Sequence, residues 1–209
     1  VGKLKTKSHG KKPTQAQGIV LITHCGLSGP LIYRLSAHAA RELAENQYQA
    51  SLTLDFFPDV SQEDCLARIR ENCDTAWEKK HMANTRFEIG GRSIPQRLWH
   101  NMMTYCGIPD DQKGKTLSHK YQHKLVEVLK NLTVSVTGKS PSKEEFVSCG
   151  GVDCREVDFK TMQSNVCPGL YFAGEVLNMD GLTGGFNFQA CWSAAWVLSQ
   201  HFECGPDCK

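Results

Sequence analysis

The chain has 209 residues, of which 40% are hydrophobic and 9% aromatic, enough for a sizeable core in one large or two small domains. A formal net charge of +2 is too small to indicate a nucleic-acid-binding protein. No apolar run approaches the roughly 18 residues needed to cross a bilayer. The composition therefore predicts a globular, soluble protein with neither nucleic acid nor membrane as a partner.

The N-terminal stretch is basic and has few large apolar side chains. Its lysines are Lys3, Lys5, Lys7, Lys11 and Lys12. It is either a frayed surface segment, which we favour, or the end of a strand that begins upstream. Because the chain has neither an initiator Met nor a signal-peptide apolar region, we expect it to begin within a longer protein. Targeting cannot be read from it, and the location we expect is intracellular and cytoplasmic.

The next predicted elements are a strand, a helix and a strand. Gln17–His24 is rich in β-formers and ends at a Gly-rich turn. A helix should follow with Pro30 at its first position, capped by Ser28 or Gly29. Its apolar stripe consists of Leu31, Leu35, Ala39 and Leu43. The alternating segment QYQASLTLDFFP then predicts a half-buried strand ending at Pro58.

Three amphipathic helices follow and predict a helical insertion. The first begins at Ser61, which stands at capping-box spacing from Asp64. One face of it carries Leu66, Ile69, Cys73 and Trp77. The second covers 94–106, with Ser93 as its cap and Gly107 as its stop, and the third covers about 119–132. β character returns in LTVSVTGKS and EEFVSCGGVD, before a closing strand and a helix from about 187 to 200.

The ten cysteines are scattered among apolar positions, which favours buried reduced thiols over disulfides. The exceptions are the pair Cys149 and Cys154 and the pair Cys204 and Cys208. The second pair, close to His201, leaves open a zinc corner, a local disulfide or a disordered tail. We favour the tail and assign no metal site.

Residues 168–198 carry the strongest chemical pattern: a strand, a glycine turn and a helix. Leu170–Ala173 predicts a short buried strand, followed by Gly174, where a Cβ is absent, and Glu175 at the strand end. Thr183–Gly185 predicts a tight turn before a helix whose N-terminus attracts anionic atoms, either a phosphate or the pyrimidine edge of a reduced flavin. An ordinary turn beside a solvated Glu is equally compatible with the spacing.

The segment GLYFAGEVLNMDGLTGGFNFQA resembles the C-terminal motif of the BaiN-like family of bacterial flavoproteins, GLYFAGEVLDVDGxTGGYNLQWA. Three further segments are similar to motifs of that family in the same order. They are ITHCGLSGP (22–30), SCGGVDCREVD (148–158) and TMQSN (161–165). Four ordered motifs make a chance match very improbable, and the resemblance covers most of the chain.

The resemblance implies a partial FAD-binding fold of the α/β (α+β) class, related to the Rossmann fold, with a β-barrel-like middle domain and a helical insertion. It divides the chain into a β-barrel-like segment with one helix (1–60), a helical insertion (61–132), a return to the barrel-like segment (133–160), the C-terminal part of the FAD-binding domain (161–200) and a tail (201–209). The cofactor-binding residues it implies are Gly174, Glu175, Asp180, Thr183, Gly184, Gly185, Phe186 and Asn187.

Three substitutions separate this chain from the family pattern. Asn178 stands where Asp is usual, Phe186 replaces Tyr, and Gln163 replaces Glu. Loss of two carboxylates and a phenol leaves the catalytic residues unassigned, whereas binding through the glycine backbone does not depend on them.

The G-x-G-x-x-G fingerprint that would hold the FAD pyrophosphate is absent from the sequence. We therefore expect the N-terminal dinucleotide-binding part to be missing and to be the partner of this chain. Alone, the chain should bind FAD weakly or not at all, be inactive, and expose an edge that promotes aggregation or self-association.

Other candidate residues carry less weight. Ser28 does not lie in G-x-S-x-G and is better explained as a helix cap. His24 and Cys25 stand at a turn where they could contact flavin or substrate, although a structural role for His24 is favoured. His119 and His123 lack the Glu of a zinc-binding H-E-x-x-H and are interpreted as a solvated face.

Two hypotheses of function remain. The first is the C-terminal fragment of an FAD-dependent oxidoreductase that transfers electrons to or from an organic substrate the sequence does not identify, with NAD(P)H as a candidate reductant. The second is a non-catalytic interaction domain that keeps the fold without the cofactor.

Overall fold

The computed structural model describes residues 1–6, 12–139, 147–182 and 185–201. In these residues it has six α-helices and ten short strands, a mixed α/β protein as predicted. The helices are α1 (Pro30–His38), α2 (Ala40–Glu45), α3 (Gln62–Asp74), α4 (Gln96–Cys106), α5 (His119–Asn131) and α6 (Gly185–His201). The strands are β1 (Gly2–Thr6), β2 (Thr14–Ala16), β3 (Leu21–Ile22), β4 (Leu27–Ser28), β5 (Ala50–Leu54), β6 (Glu88–Ile89), β7 (Arg92–Ser93), β8 (Leu132–Val136), β9 (Val157–Asp158) and β10 (Gln163–Ser164).

The chain divides into two compact units. The first unit contains Val1–Lys3 and Ser51–Val136, and the second contains Leu4–Ala50 and the residues from Thr137 onward. In the first unit β5 lies between β1 and β8. The N-terminus of Val1 and the backbone of Asp55 exchange two hydrogen bonds of 2.8 Å, which anchors the start of the chain on the end of β5.

The helices of the first unit follow the sequence prediction closely. Ser61 caps α3 by accepting a hydrogen bond from the Asp64 N–H. Gly107 ends α4 in the left-handed region, with φ 77°. The capping residue of α4 is Pro95 rather than the predicted Ser93, which pairs in β7 instead. α5 has the predicted extent to within one residue.

The core of the first unit is aromatic. None of its four large rings is more than 3% exposed. They are Phe57, Trp77, Phe87 and Trp99, with neighbouring ring centroids 5.5–6.5 Å apart. The Trp99 indole N–H donates to Thr85 Oγ1 at 2.9 Å, so the one polar atom of the ring is satisfied. Trp77 lies beyond the end of α3, on the turn that follows it.

A buried lysine ties α5 to the segment that follows β5. Lys130 is 8% exposed, and its ammonium donates to the carbonyls of Phe57 and Val60 at 2.5 and 2.6 Å. The same ammonium forms an ion pair of 2.9 Å with Asp55. All three of its protons therefore have acceptors, which makes burial of the charge tolerable.

In the second unit β2 pairs with β1, and β3 forms a short antiparallel hairpin with β4. The predicted strand Gln17–His24 is thus reduced to two paired residues. Pro30 begins the following helix as predicted, with Gly29 as an N-cap whose φ is 95°. The predicted helix breaks at Ala39 into α1 and α2, yet its predicted apolar stripe is buried throughout.

The C-terminal part of the second unit is built around β9 and β10, an antiparallel pair. Its small core consists of Val157, Met162, Leu177 and Ala194. The prediction of a strand at Leu170–Ala173 is wrong. Tyr171 makes one isolated bridge to Gln163 and Leu170 is exposed, because the described part of the chain supplies no long neighbouring strand here.

Helix α6 leaves its large aromatic side chains in solvent. Phe186, Phe188, Trp192 and Trp196 are between 65% and 70% exposed. A shallow groove on this helix is lined by Gln189, Trp192, Ser193, Trp196 and Val197. A helix that is apolar on all sides is ordinarily buried in a core, so α6 lacks a cover within the described chain.

The described cysteines are all free thiols. Cys65, Cys73 and Cys106 are buried, as predicted, whereas Cys25, Cys149 and Cys167 are exposed. Cys204 and Cys208, which with His201 made the alternative zinc corner, lie outside the described residues.

Candidate functional site

The site predicted from the sequence lies on two neighbouring segments of the second unit. Gly174 and Glu175 form a 3-10 turn, Gly174–Val176, rather than the end of a strand. Gly185, Phe186 and Asn187 form the first turn of α6. Asp180 lies exposed on the loop between the two segments. Thr183 and Gly184 lie outside the described residues, so the tight turn predicted there stays a prediction.

The loop after this 3-10 turn is fixed by the segment around Gly151. Val152 donates to Val176 O and accepts from the Asn178 N–H, both at 2.9 Å, in a parallel bridge. Gly151 has φ +132°, and a Cβ there would stand 2.4 Å from Val176 O. Only glycine permits this approach. Two of the motifs that the sequence singled out are therefore packed against each other.

Asn178 is held from two sides. The Arg41 guanidinium on α2 donates to Asn178 Oδ1 at 2.8 Å, and the Cys154 thiol donates to the Asn178 carbonyl at 3.5 Å. Asn178 is one of the three departures from the family pattern, and its amide oxygen takes the hydrogen bond from Arg41. Arg41 could not be identified from the sequence, because its position on α2 carries no motif.

Asn187 braces the loop from the other end. Its Oδ1 accepts from the Gly181 N–H at 2.9 Å, and its Nδ2 donates to the Gly181 carbonyl at 3.4 Å. Its side chain thus links the first turn of α6 to the loop through a paired amide contact. Asn187 is a predicted cofactor residue whose side-chain amide is engaged within the protein.

Cys149 joins the site through Asp180. Hydrogen bonding to the Asp180 carboxylate, with burial as a smaller cause, raises the pKa of the Cys149 thiol above its ordinary value. Arg41 acts in the opposite direction on the same thiol. Cys149, Asp180 and Arg41 therefore form one electrostatic cluster beside the loop. In the sequence, Cys149 stands out only as a member of the pair with Cys154.

An acidic residue nearby is perturbed for a different reason. Arg155 Nη2 forms an ion pair of 2.5 Å with Asp153, and hydrogen bonds from Arg155 lower the pKa of Asp153 to about 2. Both side chains belong to the exposed cap of the 3-10 turn Cys154–Glu156. This pair stabilises a local turn and supplies no acid or base to the site.

The glycines of the site leave open space for a ligand. Gly174 has φ +84°, and a Cβ on Gly174 or Gly185 would have no atom of the described chain within 4 Å. These two glycines contrast with Gly151, whose missing Cβ is required by the protein's own packing. The open positions at Gly174 and Gly185, beside an N-terminal helix turn, fit a large planar or anionic ligand approaching the backbone.

The remaining sequence candidates do not join this cluster through any contact in the described structure. His24 and Cys25 are exposed on the turn between β3 and β4, where the Cys25 thiol lies 3.5 Å from Thr23 Oγ1. The structural role favoured for His24 is thus not supported by burial. Ser28 contacts Tyr33 at 3.3 Å and does not cap α1.

Two negative findings concern the described residues only. No group of three or more metal-ligating side chains occurs among them. None of the helices formed by these residues is both long enough and apolar enough to cross a membrane.

Comparison with protein families gives a match over residues 2–147 to the family described as "HI0933-like protein barrel and H2TH domain". Among curated proteins, the chain is similar to ribosomal RNA dihydrouridine synthase from Escherichia coli, at 33% identity over 87% of this chain and 41% of that protein. The protein of the same name from Haemophilus influenzae is 30% identical over 86% of this chain and 41% of its own length.

A third similar protein is 3-dehydro-bile acid delta(4,6)-reductase from Clostridium scindens. It is 25% identical over 88% of this chain and 43% of its own length. The chain thus spans about two fifths of the length of the curated relatives it matches.

Proposed function

We propose that this chain, which belongs to the HI0933-like family, is the C-terminal part of an FAD-dependent oxidoreductase. The observation that carries the proposal is the pair of open glycines, Gly174 and Gly185, on either side of a loop that Gly151 and Asn187 hold in place. Such a loop offers backbone surface to a cofactor.

The reaction class we propose is reduction of a carbon–carbon double bond conjugated to a carbonyl group. The names of the relatives support it: dihydrouridine is uridine with two hydrogens added, and a delta(4,6)-reductase of a 3-dehydro-bile acid acts on unsaturation next to a ring ketone. Reduced FAD, when bound, supplies hydride for such a reaction. NAD(P)H is the reductant we propose for the flavin.

The residues of this chain would bind and orient the cofactor. Gly174 and Gly185 would allow close approach of the flavin to the backbone, and Glu175 would accept a hydrogen bond from a cofactor hydroxyl. The N-terminal turn of α6, at Gly185–Asn187, would stabilise negative charge on the flavin. Arg41, through Asn178, and Asn187, through Gly181, would position the loop.

The substrate class we favour is a uracil base in RNA. Two relatives whose name specifies ribosomal RNA are 33% and 30% identical, against 25% for the bile acid reductase. This proposal departs from the expectation of no nucleic acid partner. That expectation rested on net charge, which averages over the whole chain, whereas binding depends on local charge.

The exposed face of α6 supports the proposal that a further polypeptide part completes the fold. Phe188, Trp192 and Trp196 are large apolar side chains exposed on a single helix, where burying each would be worth roughly 1.5–3 kcal/mol. We propose that the missing dinucleotide-binding part covers this face. The isolated chain should then bind FAD weakly and self-associate.

A pair of glycine variants tests the cofactor site in the protein as its gene encodes it. Gly174→Ala should lower flavin affinity by about tenfold or more, or ~1.4 kcal/mol, because the added Cβ enters the ligand's space. Gly169→Ala is the matched control: Gly169 has φ +80° against +84° for Gly174, and its added Cβ also meets no described atom within 4 Å. Flavin absorbance after purification, with FAD titration, measures the difference.

Three results bear on the proposal. Retention of flavin by the wild type and Gly169→Ala, with loss in Gly174→Ala, supports it. Equal behaviour of the two variants contradicts the assignment of Gly174. Complete absence of flavin from the wild-type protein rejects the oxidoreductase and favours the non-catalytic interaction domain. The substrate class is tested by incubating the protein separately with a uridine-containing RNA and with an unsaturated 3-oxo steroid. Mass spectrometry then shows which of the two gains the mass of two hydrogens.

A further inference from the structure

Two segments of the first unit form a short antiparallel ribbon, residues 78–82 and residues 112–115. The Met82 N–H donates to Gln112 O at 2.7 Å, and the Gly114 N–H donates to Lys80 O at 3.2 Å. These two bonds place His81 directly opposite Lys113 as an antiparallel bridge. In a pair of this type the two side chains lie on the same face and close together.

The ribbon has an inner and an outer face because side chains alternate along paired strands. On the inner face Met82 is fully buried, and a Cβ on Gly114 would stand only 2.4 Å from Trp77 O. Gly114 is therefore fixed against the core. The bridge places His81 and Lys113 together on the outer face, and two residues close to them in sequence, Lys79 and Lys115, are also exposed. We call these four residues the basic ridge.

The charges of the basic ridge are only partly neutralised. Lys115 forms an ion pair of 2.7 Å with Glu78. The His81 ring Nδ1 lies 2.9 Å from the Asp111 carbonyl, which leaves the other ring nitrogen to face solvent. In the described chain, Lys79 and Lys113 have no carboxylate within 4 Å. Asp110 and Asp111 precede Lys113 in sequence, and the Asp110 carboxylate lies 3.9 Å from His100 Nδ1.

We propose that the basic ridge binds the phosphate backbone of an RNA, an inference that rests on the proposed function. Lys79 and Lys113 present two unpaired cations on segments that Gly114 holds against Trp77. Lysine is a common phosphate ligand, and phosphate contacts position an RNA without reading its sequence. The ridge lies in the first unit, whereas the candidate flavin site lies in the second.

The experiment measures fluorescence anisotropy of a labelled RNA hairpin as the protein is titrated, at several salt concentrations. The test variant is Lys79→Gln/Lys113→Gln. The control, Lys120→Gln/Lys160→Gln, removes the same charge from two other exposed lysines. Each lost phosphate contact should reduce the slope of log affinity against log salt by about 1, so the test variant should lose about 2. Its affinity at moderate salt should fall by roughly tenfold or more.

A lower salt slope and a lower RNA affinity in the test variant, with little change in the control, support RNA binding by the basic ridge. Equal losses in both variants, or no RNA binding by the wild type, overturn it. Binding of vesicles rich in anionic lipid that depends on the same two lysines, without RNA binding, also overturns it in favour of a membrane surface. The assay needs neither flavin nor turnover, so it fails independently of the flavin-site test.

Discussion

The two units differ in whether their large aromatic side chains are buried or exposed. In the first unit, Trp77, Phe87 and Trp99 pack against one another and Trp99 donates its indole N–H to Thr85. In the second unit, Phe188 and Trp192 lie on α6 with centroids 6.2 Å apart and remain in solvent. The first unit completes its own core, whereas the second presents a helix suited to a core that the described chain does not supply.

The largest expected effect is the difference in stability between the alanine variants of two tryptophans. Trp99→Ala should destabilise the protein by about 3–5 kcal/mol, because it leaves a large cavity and removes the hydrogen bond that the buried Thr85 hydroxyl accepts. Trp192→Ala should change stability by less than about 0.5 kcal/mol and reduce self-association. Urea unfolding and size-exclusion chromatography measure both quantities. If Trp192→Ala is as damaging as Trp99→Ala, the contrast between the units is wrong.

A second comparison concerns the polar contacts of the two units. Lys130→Met should cost about 3 kcal/mol, since it leaves Asp55 without this counterion and removes the ammonium donor from the carbonyls of Phe57 and Val60. Arg41→Ala removes an exposed hydrogen bond to Asn178 and should cost less than about 1 kcal/mol. Chemical denaturation gives both values. A cost for Arg41→Ala equal to that for Lys130→Met would show that the loop carries as much stability as the buried lysine.

The smallest effect is a dependence on alkaline pH. Burial raises the pKa of the Cys73 thiol from 9.0 to about 11. Because the folded state disfavours the thiolate, the stability that the protonated Cys73 thiol contributes is fully present below pH 9 and is lost as the pH rises through 11. Wild type should lose on the order of 1–2 kcal/mol over this interval relative to Cys73→Ala. If the free energy of unfolding changes by the same amount in both proteins between pH 8 and pH 11, this prediction is wrong.

The sequence predictions were accurate or wrong depending on where the packing partners of each element lie. Local rules were sufficient where an element packs on its own unit: Ser61 caps α3, Gly107 ends α4, and Pro30 begins α1. The strand at Leu170–Ala173 failed because a buried apolar segment needs neighbours that local sequence cannot provide. Periodicity assigned α6 correctly as a helix but did not reveal that its aromatic face is exposed.

The residues of the candidate site were likewise only partly predictable from the sequence. Gly174 and Gly185 were identified from the glycine pattern, and the structure leaves both open. The bracing contacts were missed, because the partners of Asn178 and Asp180 are Arg41 and Cys149, which lie far away in sequence. No spacing rule connects such residues. A spatial cluster of this kind becomes visible only when the chain is folded.

Gly151 also bears on how the second unit folds. Its close approach to Val176 joins two segments that are separated by the whole β9–β10 hairpin, so the contact closes a loop rather than extending a helix. Loop closure costs chain entropy before the contact returns free energy. We therefore expect the candidate site to assemble late in folding, after β9 and β10 have paired, and a larger residue at 151 to impede that closing step.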